Sequence, residues 1–175
     1  MMQNLIDQIE NLVQEAIEEV HTAMPGLIES VDYENGTADV RPVLKKHLRS
    51  GEVIEYPLIT EVPILFPQGA GQDSFIVFPV RKGDGCLLIV SENALDCWQF
   101  GMETDMDLPF DLSNAVCIPG LFSRMPSGLK EASENGSVIV KAGSTVLTVS
   151  PDGMKLKGSL TVTGTVKAAG FDTDD

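Results

Sequence analysis

Leu27-Ile28-Glu29-Ser30-Val31-Asp32-Tyr33, then Glu34-Asn35-Gly36-Thr37, then Ala38-Asp39-Val40-Arg41-Pro42-Val43-Leu44: two runs of β-type character flank an Asn-Gly pair. Asn and Gly readily adopt the positive φ angles of a tight hairpin turn, so this stretch predicts an antiparallel hairpin. It is the strongest local signal in the chain, and it sets the class as mainly β. Downstream, Val53 to Phe66 continues with β-branched and aromatic residues, but Pro57, Pro63 and Pro67 interrupt it. Proline cannot donate to a ladder, so short or edge strands are expected there. Gln68-Gly69-Ala70-Gly71 reads as a loop. Ser74 to Val80 and Cys86 to Val90 flank Arg81-Lys82-Gly83-Asp84-Gly85 and predict a second hairpin. Glu92 to Phe100 is expected to hold a helical turn and Asn114 to Ile118 a further strand. Five or six short strands over this stretch suggest a small β-barrel or sandwich.

Upstream of the hairpin, Gln3 to Thr22 contains neither Gly nor Pro, and Ile6, Ile9, Val13, Ala16 and Val20 recur at steps of three and four. That is the a/d seam of a short heptad pattern, widened by Leu5, Leu12 and Ile17. Two readings stay open: an amphipathic helix packed on its own domain, or self-association, for which Ile at both a and d favours more than two strands. Met24-Pro25-Gly26 is expected to stop the helix.

The chain has 175 residues, enough for one ordinary domain with a few tens left over. Its 43% apolar and 22% charged residues match a folded globular protein. A net charge of −14 argues against nucleic acid and anionic membrane surfaces as partners. No apolar run approaches the length of a membrane span and no basic segment precedes an apolar one at the N-terminus, so neither anchor nor secretory signal is expected. Cys86, Cys97 and Cys117 form no Cys-x-x-Cys pair and read as buried free thiols. His21 and His47 lack partners at zinc-ligand spacing, and no Cys-His nucleophilic pair has local support. Gly83-Asp84-Gly85 lacks the Lys-Ser/Thr of a phosphate loop, and Asp105, Asp107 and Asp111 do not complete a calcium loop. No cofactor or metal is expected, and no catalytic residue is assigned.

The composition changes between Gly136 and Gly170. Gly, Ser, Thr and Val dominate, and four lysines against the single acid Asp152 give this segment about +3, leaving the remainder near −17. From Met154, Leu156, Leu160, Val162, Val166 and Ala168 share one parity, while Lys155, Lys157, Ser159, Thr161, Thr163, Thr165 and Lys167 take the other. Val138, Val140 and Ala142 do the same earlier. Such alternation marks strands with one dry and one wet face. A thin apolar face of this kind needs a second surface. An extra hairpin packed in cis is one solution. The other is three identical chains about one axis, with Val138, Val140, Leu156, Leu160, Val162 and Val166 packed along it and recurrent glycines bending the strands around a prism. Ser123 to Gly136 reads as an exposed connection between body and tail.

Further segments carry a family resemblance. His21-Thr22-Ala23-Met24-Pro25-Gly26, Ile28-Glu29-Ser30-Val31-Asp32, Gly36-Thr37-Ala38-Asp39-Val40-Arg41-Pro42, Val62-Pro63-Ile64-Leu65-Phe66-Pro67, Phe78-Pro79-Val80, Lys82-Gly83-Asp84-Gly85-Cys86-Leu87-Leu88, Ser91-Glu92 with Trp98, and Asp111-Leu112-Ser113 with Ile118-Pro119-Gly120-Leu121 resemble the small central spike proteins of contractile-tailed phages. The resemblance covers residues 21 to 122. It implies a barrel of the oligonucleotide/oligosaccharide-binding (OB) type at 25–122, after an N-terminal helix at 1–24, with a linker at 123–136 and a trimeric β-helical spike at 137–175. It also implies a place in the virion at the tail baseplate, a hub protein at the N-terminal side, and piercing of the host outer membrane without enzymatic activity. Some members end in a His-x-His tip that holds iron; neither histidine here lies beyond residue 47, so a metal-free apex or a separate tip protein is expected. The alternatives are an OB-type binding module for sugars or other ligands and a cell-wall hydrolase with paired carboxylates.

Overall fold

The structure is a computed structural model that describes residues 2–18, 20–47, 51–95, 98, 101 and 109–170. The chain is mainly β and divides into two compact units, one ending at Ser123 and the other beginning at Arg124.

In the first unit, α1 (Met2–Glu18) precedes β1 (Ala23–Asp32) and β2 (Thr37–Pro42). The helix ends earlier than its apolar pattern suggested, and Met24-Pro25-Gly26, expected as its stop, already lies in β1 with Met24 buried. β1 and β2 form the expected hairpin, with Asp32 opposite Thr37. Its turn differs in kind from a two-residue Asn-Gly turn. Four residues, 33–36, make the connection, and only Gly36 has positive φ, at 68°. Asn35 serves instead through its backbone and side-chain amides, which donate to Asp32.

Inward residues alternate along β1 as Met24, Gly26 and Ile28, and a bulge at Glu29 then shifts the register. The extra residue moves Val31 rather than Ser30 onto the core side. Pairing continues through β3 (Lys45–His47) with β4 (Val53–Glu55), and through β5 (Ile59–Pro63), which joins β2. As the prolines foretold, β5 is an edge strand. The main sheet runs β5-β2-β1-β8-β9, with β8 at Gly85–Val90 and β9 at Ala115–Pro119.

The expected hairpin of Ser74–Val80 with Cys86–Val90 does not form. β8 uses both edges on β1 and β9, while Ser74–Phe75 (β7) pairs only with Gln68–Gly69 (β6). Residues 76–80 carry no strand. The sheet curls into a half-barrel: just past β5, Ile64 bridges Cys117 of the opposite edge strand and Leu65 N–H donates to the Cys117 carbonyl at 2.8 Å. Ile28, Val40, Cys86, Leu88 and Cys117 fill its interior with almost no exposure.

In the second unit, the stretch read as a bare connection contains α2 (Gly128–Asn135), which ends at Gly136 in the left-handed region and carries a Lys130–Glu134 ion pair one turn apart. There follow β10 (Val138–Ala142), β11 (Thr145–Ser150) and β12 (Gly153–Lys157) in one antiparallel sheet of order β10-β11-β12. Among the described residues the single chain shows no C-terminal β-helix. The alternation of Met154 to Ala168 becomes a strand only as far as Lys157, and residues 158–170 join no ladder. Period two describes side-chain facing; a strand also needs a neighbour to take its backbone hydrogen bonds.

Candidate interaction surfaces

Residues directly opposite in an antiparallel ladder share a face. Val138 lies opposite Val149, Val140 opposite Leu147 and Ala142 opposite Thr145; Leu147 in turn faces Leu156, and Val149 faces Met154. One side of the C-terminal sheet is therefore aliphatic across all three strands. It is largely uncovered: Val138 is 65% exposed, Val140 60% and Met154 71%, while Leu147 and Leu156 are half-buried. The other side carries Ile139, Lys141, Val146, Thr148, Lys155 and Lys157. A Cβ added to Gly128 of α2 would meet Ile139 at 4.0 Å, which places the helix on that second side.

Of the six residues assigned to an axis, Val138, Val140 and Leu156 come together on the aliphatic side. Leu160, Val162 and Val166 follow β12 outside any strand and are exposed. Sequence reasoning missed Leu147 and Val149. Their strand reads Thr145-Val146-Leu147-Thr148-Val149, with Val146 apolar on the opposite parity, so the alternation is blurred.

Two further apolar surfaces belong to the first unit. Leu5, Ile6, Ile9, Leu12, Val13 and Ile17 of α1 are 44–65% exposed. Phe75, Ile76, Val77 and Phe78 are exposed in succession, with Phe78 edge-on to Phe66 at 5.1 Å between ring centres.

Two clefts of the half-barrel hold little chemistry. One, about 390 Å³, is lined by His21, Leu58, Thr60 and Asp111 among others. His21 stands edge-on to Tyr56, and Asp111 is held below the usual carboxylate range by hydrogen bonds from Ser113, with a smaller contribution from His21. A cleft of about 190 Å³ holds Glu55, which is paired with Lys45 at 2.7 Å. Each thus offers one engaged carboxylate, whereas glycoside hydrolysis uses two facing each other. Cys86 and Cys117 are free and fully buried; the Cys86 thiol and burial push Cys117 well up, which keeps it a neutral thiol. Cys97, Asp105 and Asp107, part of the helical turn expected at Glu92–Phe100, and the apex beyond Gly170 lie outside the described residues. Among the described residues no cluster of His, Cys, Asp or Glu has the makings of a metal site, and no helix is long and apolar enough to cross a membrane.

Phage proteins provide the match. Residues 24–120, from Met24 in β1 to the glycine after β9, fit the sequence model described as the phage protein Gp138 N-terminal domain. That span is more than half of the chain, and the chain belongs to this family of phage proteins. No curated protein matches it.

Proposed function

We propose that this phage protein is a homotrimeric structural component of the virion, the central spike of a contractile-tail baseplate, which pierces the host outer membrane during injection. The observation that carries the reading is the aliphatic side of the β10-β11-β12 sheet, formed by Val138, Val140, Leu147, Val149, Met154 and Leu156, of which Val138, Val140, Val149 and Met154 are exposed in the single chain. A soluble sheet does not keep such a face wet when a neighbour can cover it. Three copies about one axis bury it symmetrically, and the same neighbours supply the missing ladder partners for residues 158–170, so that Leu160, Val162 and Val166 extend the dry axis. The half-barrel is read as the OB-type platform that joins this shaft to a hub protein. Its acidic character fits protein rather than nucleic acid as partner.

The work is mechanical and needs no catalytic centre or cofactor. Rigidity comes from interchain β-ladders about a dry core. A separate tip protein belongs to the same reading, motivated by the absence of histidines from residues 137–175. Light scattering on the purified chain should return about three times 18.8 kDa, and negative-stain images should show a tapered three-fold needle. A clean monomer at micromolar concentration sinks the proposal.

A further inference from the structure

The N-terminal helix α1 has an apolar stripe that its own unit does not cover. Leu5, Ile6, Ile9, Leu12, Val13, Ile17 and Val20 remain 44–65% exposed, so the cis-packed reading of the heptad pattern is not what the structure shows. We propose that the α1 helices of three copies pair in parallel as a short coiled coil, a second clamp on the assembly at the N-terminal end of the chain. The inference rests on the trimeric reading above for its copy number.

Heptad chemistry selects the occupant. With Ile6 at a, the seam within α1 is Ile6, Ile9, Val13 and Ala16, with Val20 just past the helix end; both a positions in the helix are β-branched and the first complete d is Ile. Ile at both a and d shifts preference from two strands to three or more. The flanking positions agree. In a parallel bundle each g residue meets the e residue of the next heptad on its neighbour, and here the g–e pairs are Leu5 with Glu10 and Leu12 with Ile17. No acid faces an acid across the seam, although α1 contains no Lys or Arg. The apolar Leu12–Ile17 pair widens the buried strip beyond a/d, as an interface with two neighbours per helix requires. A partner read through charge would instead have to satisfy a polar face that is wholly acidic where it is charged, and nothing in the stripe itself asks for that.

Six aliphatic side chains on each of three helices, 44–65% exposed and offering about 100 Å² apiece, total roughly 1,800 Å², within the standard interface range of about 1,200–2,000 Å². A 17-residue helix is nevertheless marginal alone in water, which fits a clamp rather than a sole interface. That deficit vanishes once copies are held together elsewhere, because only residues 19–22 separate α1 from β1 and the local helix concentration becomes high.

The test places a thiol at the seam in the full chain, Val13→Cys, and another at an outward b position, Gln14→Cys, and treats both with a short bismaleimide, with the unmodified chain as background. Light scattering is run on the same samples. The inference expects trimer mass in both and linked pairs only for Val13→Cys, with Ile6→Cys behaving likewise. Trimer mass with no linkage at Val13 and Ile6, or equal linkage at Gln14, overturns the helical clamp and leaves the spike reading standing. Monomer mass overturns both.

Discussion

Gly85 and Gly26 mark places where the half-barrel closes without room for a side chain. A Cβ on Gly85 would run into the Leu121 carbonyl oxygen, and one on Gly26 would come within 2.5 Å of Val40 Cγ1 and 3.2 Å of Cys86 Sγ. Backbone gives less readily than a side chain, so Gly85→Ala should lose about 2–3 kcal/mol in urea unfolding and Gly26→Ala somewhat less. Acid sensitivity is also set at single residues. Asp32 accepts from Asn35 Nδ2, Asn35 N–H and Glu34 N–H, and these bonds hold its carboxyl below its ordinary value of 3.8. Glu29, freed by the bulge, is lowered by Arg41 first and Lys82 second. A carboxyl depressed in the folded state adds stability above its unfolded pKa, and that contribution fades as pH falls through the folded value. Asp32→Asn should therefore flatten the stability profile below about pH 4 while lowering the midpoint at neutral pH, as thermal melts across pH would show.

At the scale of elements, the C-terminal sheet makes the sharper prediction. Val140 sits on its open aliphatic side, 60% exposed, and belongs to the second unit. Val140→Asp should reduce the light-scattering mass from about three times 18.8 kDa to the single value while changing the unfolding of the first unit by less than about 0.5 kcal/mol. Lys141→Asp, on the opposite side of the same strand, should leave the mass unchanged. β8 shows why elements are harder to place than to find. Cys86 to Val90 was legible as a strand, but its partners β1 and β9 lie some 60 residues upstream and about 30 downstream by chain position. Local turn chemistry pointed to Ser74–Val80 instead, where Pro79 withholds a donor and residues 76–80 join no ladder.

For the whole molecule, two compact units joined near Ser123 imply a protease-sensitive boundary. Residues 121–127 are exposed, so limited trypsin digestion should cut first at Arg124 and release a stable N-terminal fragment, detected by mass spectrometry. Earlier cleavage at Lys45 or Lys46, within β3, would contradict the division.

Local chemistry, legible without a structure, determined the mainly β character, the β1-β2 hairpin, the edge position of β5 and the parity that puts Val138, Val140 and Leu156 on one side. Each of these rests on neighbours a few residues apart: a Gly that accepts positive φ, a Pro without a donor, a period of two. Tertiary structure alone decided the β5-β2-β1-β8-β9 order, the closure of Ile64 on Cys117, the contribution of Leu147 and Val149 to the aliphatic side, and the exposure of α1. Those depend on which distant backbone groups pair and which faces remain uncovered, and chain-distant pairing leaves no mark in the spacing of residues along one segment.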